Sequence, residues 1–277
     1  VKAFALEHQL DFFNPREQEG LLRTLMIRNS NRGKFMVLIQ FFRENNAKRE
    51  ALLDHLVKNF DIASLLYCIN PKANDTLYDQ EIFCYNGKEF ITEEMEGLNF
   101  KINAKSFFQT NTKQAYELYK IVRDFAGLQG DELVYDLYTG TGTIAQFIAK
   151  NCSKVVGVES VPEAITAAQS NAKENGIDNT TFEVGDMRKV FNQDFIERHG
   201  KADVVITDPP RNGMHPAVIK QLLFLLPKKI VYVSCNNATQ ARDLHLMKDH
   251  YKLIRSKAID MFPQTQHVEN VVLLEKI

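Results

Sequence analysis

Several short stretches of this sequence bring together side chains able to do chemistry. The run Tyr138-Thr139-Gly140-Thr141-Gly142-Thr143 follows an apolar segment, 132–137, and precedes a helical one, 144–149. Glycines in such a strand-to-helix turn let a ligand approach the backbone, and the helix start beyond offers free N–H donors, although G-x-G alone is equally a tight turn. Glu159 closes the next apolar run, where a carboxylate can accept both hydroxyls of a ribose. Asp186 ends the third run, placed either to accept an adenine amine or simply to cap the segment after it. Asp208-Pro209-Pro210-Arg211 ends the fourth, and Ser234-Cys235-Asn236-Asn237 the fifth. A cysteine closing an apolar strand is more often packing than nucleophile. Its place on the rim that also carries Gly140, Glu159 and Asp208 reverses that preference.

The elements that position these residues follow from pattern. Residues 132–137, 154–159, 180–184, 203–208 and 230–235 are apolar, β-branched runs separated by helical stretches, which predicts buried parallel strands. Residues 251–260 and 270–276 read as a terminal antiparallel pair with no helix between them. Upstream, a helix capped by Asn111 or Thr112 runs to Gly127. The first hundred residues mix a helix-like stretch over 15–26, an apolar run at 35–42, a helix over 47–59, and strands at 64–69 and 81–85. The last of these leads into Asn86-Gly87, a pair suited to a type I′ turn. We expect an α+β domain over 1–100, with a small, mostly antiparallel sheet, and an α/β domain over 101–277.

The 277 residues carry 34 Lys+Arg against 35 Asp+Glu, a net charge of −1, so no global positive field draws in nucleic acid and any polyanion must meet a local patch. Cys68, Cys84, Cys152 and Cys235 are scattered without a C-x-x-C or zinc-ligand spacing, which argues against a disulfide framework and a metal site. No apolar run is long enough for a membrane span and the first residues lack a signal-peptide core, so a cytoplasmic location is expected. The sequence begins at Val1 in mid-pattern and is read as a piece whose natural N-terminus can carry another module.

The glycine turn alone does not separate a nicotinamide dinucleotide from S-adenosylmethionine, because Ala145 satisfies the G/A variant of the dinucleotide fingerprint. The Asp-Pro-Pro turn after strand four does, since that turn marks nucleobase-directed S-adenosylmethionine methyltransferases: its prolines stiffen a loop that holds an acid over the base. With these motifs in order, the sequence resembles the RNA uracil-C5 (5-methyluridine) methyltransferases that act on tRNA and ribosomal RNA. The resemblance covers residue 102 onward, through Phe107-Phe108-Gln109-Thr110-Asn111, Asp136 to Gly142, Asp208-Pro209-Pro210-Arg211-Asn212-Gly213, Ser234-Cys235-Asn236 and His267-Val268-Glu269.

The resemblance implies a Rossmann-like α/β methyltransferase fold, a mostly parallel seven-stranded sheet with a terminal antiparallel strand, behind the smaller α+β domain. It implies Cys235 as nucleophile and Glu269 as general base, with Gln109, Tyr138, Thr143, Glu159 and Asp208 lining the cofactor site beside Gly140 and Gly142, and Asp186 as an addition. Uracil C5 is a poor nucleophile. A thiolate must first add to C6 so that C5 can attack the sulfonium methyl, and a carboxylate must then remove the C5 proton to release the enzyme. A thiol with a pKa of about 8.5 needs help to ionise, and Arg211 is a candidate for that or for phosphate binding. The target uridine is expected to flip out of its stack against Phe107 or Phe262, which are equally candidates for the core. The expected substrate is RNA, ribosomal RNA ahead of tRNA, and the expected state a monomer.

Thr139 stands where related enzymes commonly have Cys, and the N-terminal OB-type domain and iron–sulfur cysteines that many carry are not visible, so no iron–sulfur cluster is expected within this chain. The competing readings are a 5-methylcytosine or amino-directed methyltransferase, a non-catalytic S-adenosylmethionine- or RNA-binding module, and a nucleotide-dependent oxidoreductase. Cys235 with Glu269, and Arg211 in the Asp-Pro-Pro turn, weigh against them.

Overall fold

A computed structural model describes all 277 residues, which divide into two compact units: Val1–Glu94 with Phe100–Thr110, and Met95–Asn99 with Asn111–Ile277.

The first unit opens with a short helix, α1 (Lys2–Glu7), followed by β1 (Leu22–Asn29), β2 (Phe35–Phe41), α2 (Asn46–Asn59), β3 (Ser64–Ile69) and β4 (Phe83–Gly87). These strands form one sheet in the order β1-β2-β3-β4, in which only β2 and β3 run parallel, as a crossover through α2 requires. One sheet face packs Val37, Ile39, Phe41 and Leu65 against Phe4 of α1 and Leu52, Leu53 and Leu56 of α2; the other packs Met36, Leu38, Leu66 and Cys68. Asn45 caps α2, its side chain accepting from the Lys48 N–H at 3.1 Å.

Two local readings are corrected here. The 15–26 stretch is not a helix: it turns at Gly20, where a Cβ would lie 2.4 Å from the Phe12 carbonyl oxygen, and then enters β1. Asn86-Gly87 does not turn a hairpin either. Gly87 stays in the ladder opposite Ser64, where a Cβ would come within 2.2 Å of the Ala63 carbonyl oxygen. The tight turn is Glu96-Gly97, with φ of 49° and 83°, joining β5 (Phe90–Met95) to β6 (Leu98–Asn103).

The second unit holds α3 (Thr112–Ala126), β7 (Leu133–Leu137), α4 (Thr143–Ala149), β8 (Lys154–Glu159), α5 (Pro162–Glu174), β9 (Thr180–Val184), α6 (Gln193–His199), β10 (Val204–Thr207), α7 (Pro216–Leu225), β11 (Lys229–Ser234), α8 (Asn237–Met247), β12 (Tyr251–Ile259) and β13 (Glu269–Lys276). Its seven strands are ordered β12-β13-β11-β10-β7-β8-β9; β9, β8, β7, β10 and β11 are parallel, β13 runs antiparallel to β11, and β12 antiparallel to β13. This is the Rossmann-like methyltransferase fold. The chain leaves β7 for β8 on one side and returns to β10 on the other, so the turn after β7 sits at a topological switch point. Tyr135, Val205, Val231 and Tyr232 are buried, as strands covered on both faces demand. Asn111 caps α3 by accepting from the Gln114 N–H at 3.3 Å, and Gly127 ends it with φ 56°. No helix is long and apolar enough to cross a membrane.

Candidate active site

Strand register brings the chemically competent side chains to one edge. Thr207 pairs with Leu137, Leu137 with Val158 and Glu159 with Val184, so Asp208, Tyr138, Glu159 and Asp186 all follow at the same rim. On the other side Ser234 pairs with Asn270, so Cys235 and Glu269 each lie one residue past the last β11–β13 pair, at the same end of the ladder. Antiparallel geometry is what permits this: the end of a parallel strand and the start of an antiparallel one share an edge.

The turn after β7 departs from ordinary backbone at Tyr138, Gly140 and Gly142, with φ of 61°, 55° and 72°. A Cβ on Gly142 would lie 2.8 Å from the Phe182 ring and 2.9 Å from Ala168, whereas one on Gly140 would meet nothing within 4 Å. The turn is therefore packed from below at Gly142 and open at Gly140. Beneath it Asp136 accepts the Thr139 hydroxyl at 2.5 Å, and burial pushes this carboxyl up to about 7. Glu159 spans two turns: one oxygen accepts from the Gly140 N–H at 3.3 Å, the other from the Ser160 and Val161 N–H groups at 2.6 and 3.1 Å. Thr143 is buried, its hydroxyl 3.3 Å from that of Thr141. Open space above a glycine, flanked by a fixed carboxylate, fits the adenosyl group of S-adenosylmethionine. Asp186 contributes less freely, since Arg188 grips both of its oxygens at 2.6 to 3.0 Å and holds it down at about 2.

At the other half of the rim, burial raises Glu269, which is 8% exposed, and pushes Asp208 up to about 8 with the Glu269 and Asp136 charges adding to the rise. The Cys235 thiol is raised too, first by burial, then by Glu269 and Asp208, with Arg211 pulling the other way. This corrects the expectation of surroundings that favour the thiolate: burial with two carboxylates outweighs one guanidinium. Arg211 places Nη2 3.5 Å from His267 Nε2, while its carbonyl accepts from Asn236 Nδ2 and the Thr239 hydroxyl, both at 3.2 Å. Phe262 is half-buried in the loop between β12 and β13.

The chain matches the tRNA (uracil-5-)-methyltransferase family over residues 80–277. It belongs to that family. Among its relatives, an uncharacterized RNA methyltransferase of Porphyromonas gingivalis is 60% identical over 266 residues, 95% of this chain and 57% of that protein. One of Bacteroides thetaiotaomicron is 53% identical over 279 residues, 99% of this chain and 62% of the relative. The solved tRNA (uracil-54, C5)-methyltransferase of Pyrococcus abyssi, in complex with S-adenosyl-L-homocysteine, is 35% identical with a TM-score of 0.83, over 99% of this chain and 64% of that one. The chain thus spans about three fifths of the length of these family members.

Phe107 and Gln109 belong to the first unit, in the stretch after β6, where Phe107 is 73% exposed and Gln109 half-buried. The other expected site residues all lie in the second unit. Sequence reasoning passed over Asp136 as a site residue, although an acid inside an apolar strand was the available signal. It also passed over Gln240 and Asp243 of α8, both buried, for which the sequence offers no local signal.

Proposed function

We propose that this chain methylates C5 of a uridine in RNA with S-adenosylmethionine as the methyl donor. The observation that carries the reading is the β11–β13 register, which sets a cysteine beside a buried glutamate on the rim that also carries the open glycine turn.

The Gly140–Gly142 turn and Glu159 are suited to hold the adenosyl group, which when bound carries an electrophilic methyl on a sulfonium. Everything else falls to the protein's own side chains. The Cys235 thiol gives up its proton to solvent as Sγ bonds to C6, while the ring's electrons move towards O4 and make C5 nucleophilic. Asp208, raised by burial, is a neutral acid at pH 7, able to donate to a uracil carbonyl and accept from N3–H. Once C5 carries both hydrogen and methyl, the Glu269 carboxylate takes that proton, the C5–C6 double bond re-forms and the Cys235 thiolate departs. Burial suits Glu269 to the task, because a raised carboxyl is a stronger base than an ordinary one.

The test is release of tritium from RNA labelled at uridine C5. The expected outcome is tritium release in step with methyl incorporation; methyl incorporation with the label retained would place the new group on another atom. Which RNA is modified is read from the pool that loses 5-methyluridine when the gene is removed, with ribosomal RNA expected ahead of tRNA.

A further inference from the structure

Directly after Cys235 the chain enters α8, whose N-cap Asn236 accepts from Ala238 and Thr239 N–H groups at 3.1 and 3.4 Å. One face of this helix carries two buried polar side chains a turn apart, Gln240 and Asp243, 2% and 0% exposed. A buried carboxylate is costly unless its oxygens are fully used. Those of Asp243 are. Oδ2 accepts from the Met214 N–H and the Tyr232 hydroxyl, each at 2.8 Å, and Oδ1 accepts from Arg242 Nε and Nη2 at 2.9 and 2.7 Å. Arg242 Nη2 also donates to the Asn212 carbonyl at 3.0 Å. Only a glycine passes through this arrangement: Gly213 has φ 73°, and a Cβ there would lie 2.7 Å from both Arg242 Nη2 and Asp243 Oδ2.

Gln240 faces the other segment. Its Nε2 donates to the carbonyls of Tyr232 and Asn270 at 3.0 and 3.2 Å, and its Oε1 accepts from Asn270 Nδ2 at 2.7 Å, so both ends of the amide are committed at the residue following Glu269. A leucine at either position would leave these partners buried and unpaired. What the polar pair adds is a fixed position for three separate stretches of backbone.

We propose that α8 acts as a clamp in which Asp243 and Gln240 are positioning residues: Asp243 sets the loop 208–214, with its Asp208 and Arg211, against Cys235, and Gln240 sets Glu269 through Asn270. The proposal rests on the methylation reading above, and it divides the two residues by reaction step. Asp243 serves the step in which Cys235 bonds to the ring, and Gln240 the step in which Glu269 removes the C5 proton.

The experiment follows the full chain on 5-fluorouridine transcripts of tRNA and ribosomal RNA fragments with S-adenosylmethionine present, and on the same transcripts with ordinary uridine. Fluorine at C5 blocks proton removal, so the first substrate reports adduct formation alone, while the second reports formation and release. Asp243→Asn is expected to form the fluorinated adduct about tenfold more slowly or worse, because misplacement on the ångström scale is costly. Gln240→Leu is expected to form it at close to the wild-type rate but to accumulate adduct on ordinary uridine, where the wild type releases product. Tyr232→Phe, which deletes a single donor to Asp243, carries the first comparison should Asp243→Asn fail to fold. A merely structural role would slow both steps together and would not separate the two residues. Both variants slowed alike at both steps, or both at wild-type rates, overturns the clamp while trapping by the wild type leaves the methylation reading standing. Absence of trapping by the wild type removes that reading and the clamp with it.

Discussion

Cys235 is the side chain whose surroundings are most informative, because the groups beside it oppose one another. Burial, Glu269 and Asp208 hold the thiol protonated, and Arg211 favours the thiolate. Removing either kind of neighbour should move the thiol in opposite senses. Alkylation by iodoacetamide, read for the Cys235 peptide by mass spectrometry from roughly pH 6 to 10, follows the thiolate fraction. We expect its midpoint above that of an ordinary cysteine, lower in Glu269→Gln and higher in Arg211→Ala. A lower midpoint in Arg211→Ala would mean that the guanidinium does not act on the sulfur.

At the scale of elements, the turn after β7 separates support from access. Gly142 is closed underneath by Phe182 and Ala168, and Gly140 is open above. Alanine at either position bears the left-handed backbone cost of about 1 to 2 kcal/mol, but only at 142 does the new methyl also collide with the core. Gly142→Ala is therefore expected to lower the melting temperature more than Gly140→Ala does. Gly140→Ala is expected to weaken S-adenosylmethionine binding by calorimetry out of proportion to its loss of stability. Equal stability losses with no difference in binding would contradict this division. The turn and its strands were legible in sequence because β7, β8, β9, β10 and β11 are buried on both faces and so are written as continuous apolar runs. Cys235, Glu159 and Asp208 could be placed on one rim for the same reason. β1 was hidden because Leu22, Leu25 and Met26 stand at helical spacing, and because an edge strand alternates only between half-buried and exposed positions. Asp243 and Gln240 were hidden because their partners, Met214 and Asn270, lie 29 and 30 residues away, beyond any local pattern.

Across the whole molecule, the rim concentrates acids whose protons are held more tightly folded than unfolded. Asp208 moves from its ordinary 3.8 to about 8, Asp136 from 3.8 to about 7, and Glu269 upward. A carboxyl raised on folding binds more protons in the native state, so its contribution falls as pH rises from the unfolded value through the folded one. The site thus costs stability over about pH 4 to 8, most at the upper end. Asp208→Asn removes one such acid, and its melting temperature should exceed the wild type's at pH 8 and converge with it near pH 4. A constant difference between the two across that range would show that Asp208 does not titrate as its burial requires.

The central claim is that one sulfur bonds covalently to the base being methylated. It is tested most directly by incubating the full chain with 5-fluorouridine RNA and S-adenosylmethionine, separating the products on a denaturing gel and mapping any RNA-bound peptide. The account requires a denaturation-resistant complex whose nucleotide is attached at Cys235, lost in Cys235→Ala and retained in Glu269→Gln. Methyl transfer by Cys235→Ala at the wild-type rate, or attachment through Cys68, Cys84 or Cys152, would contradict it.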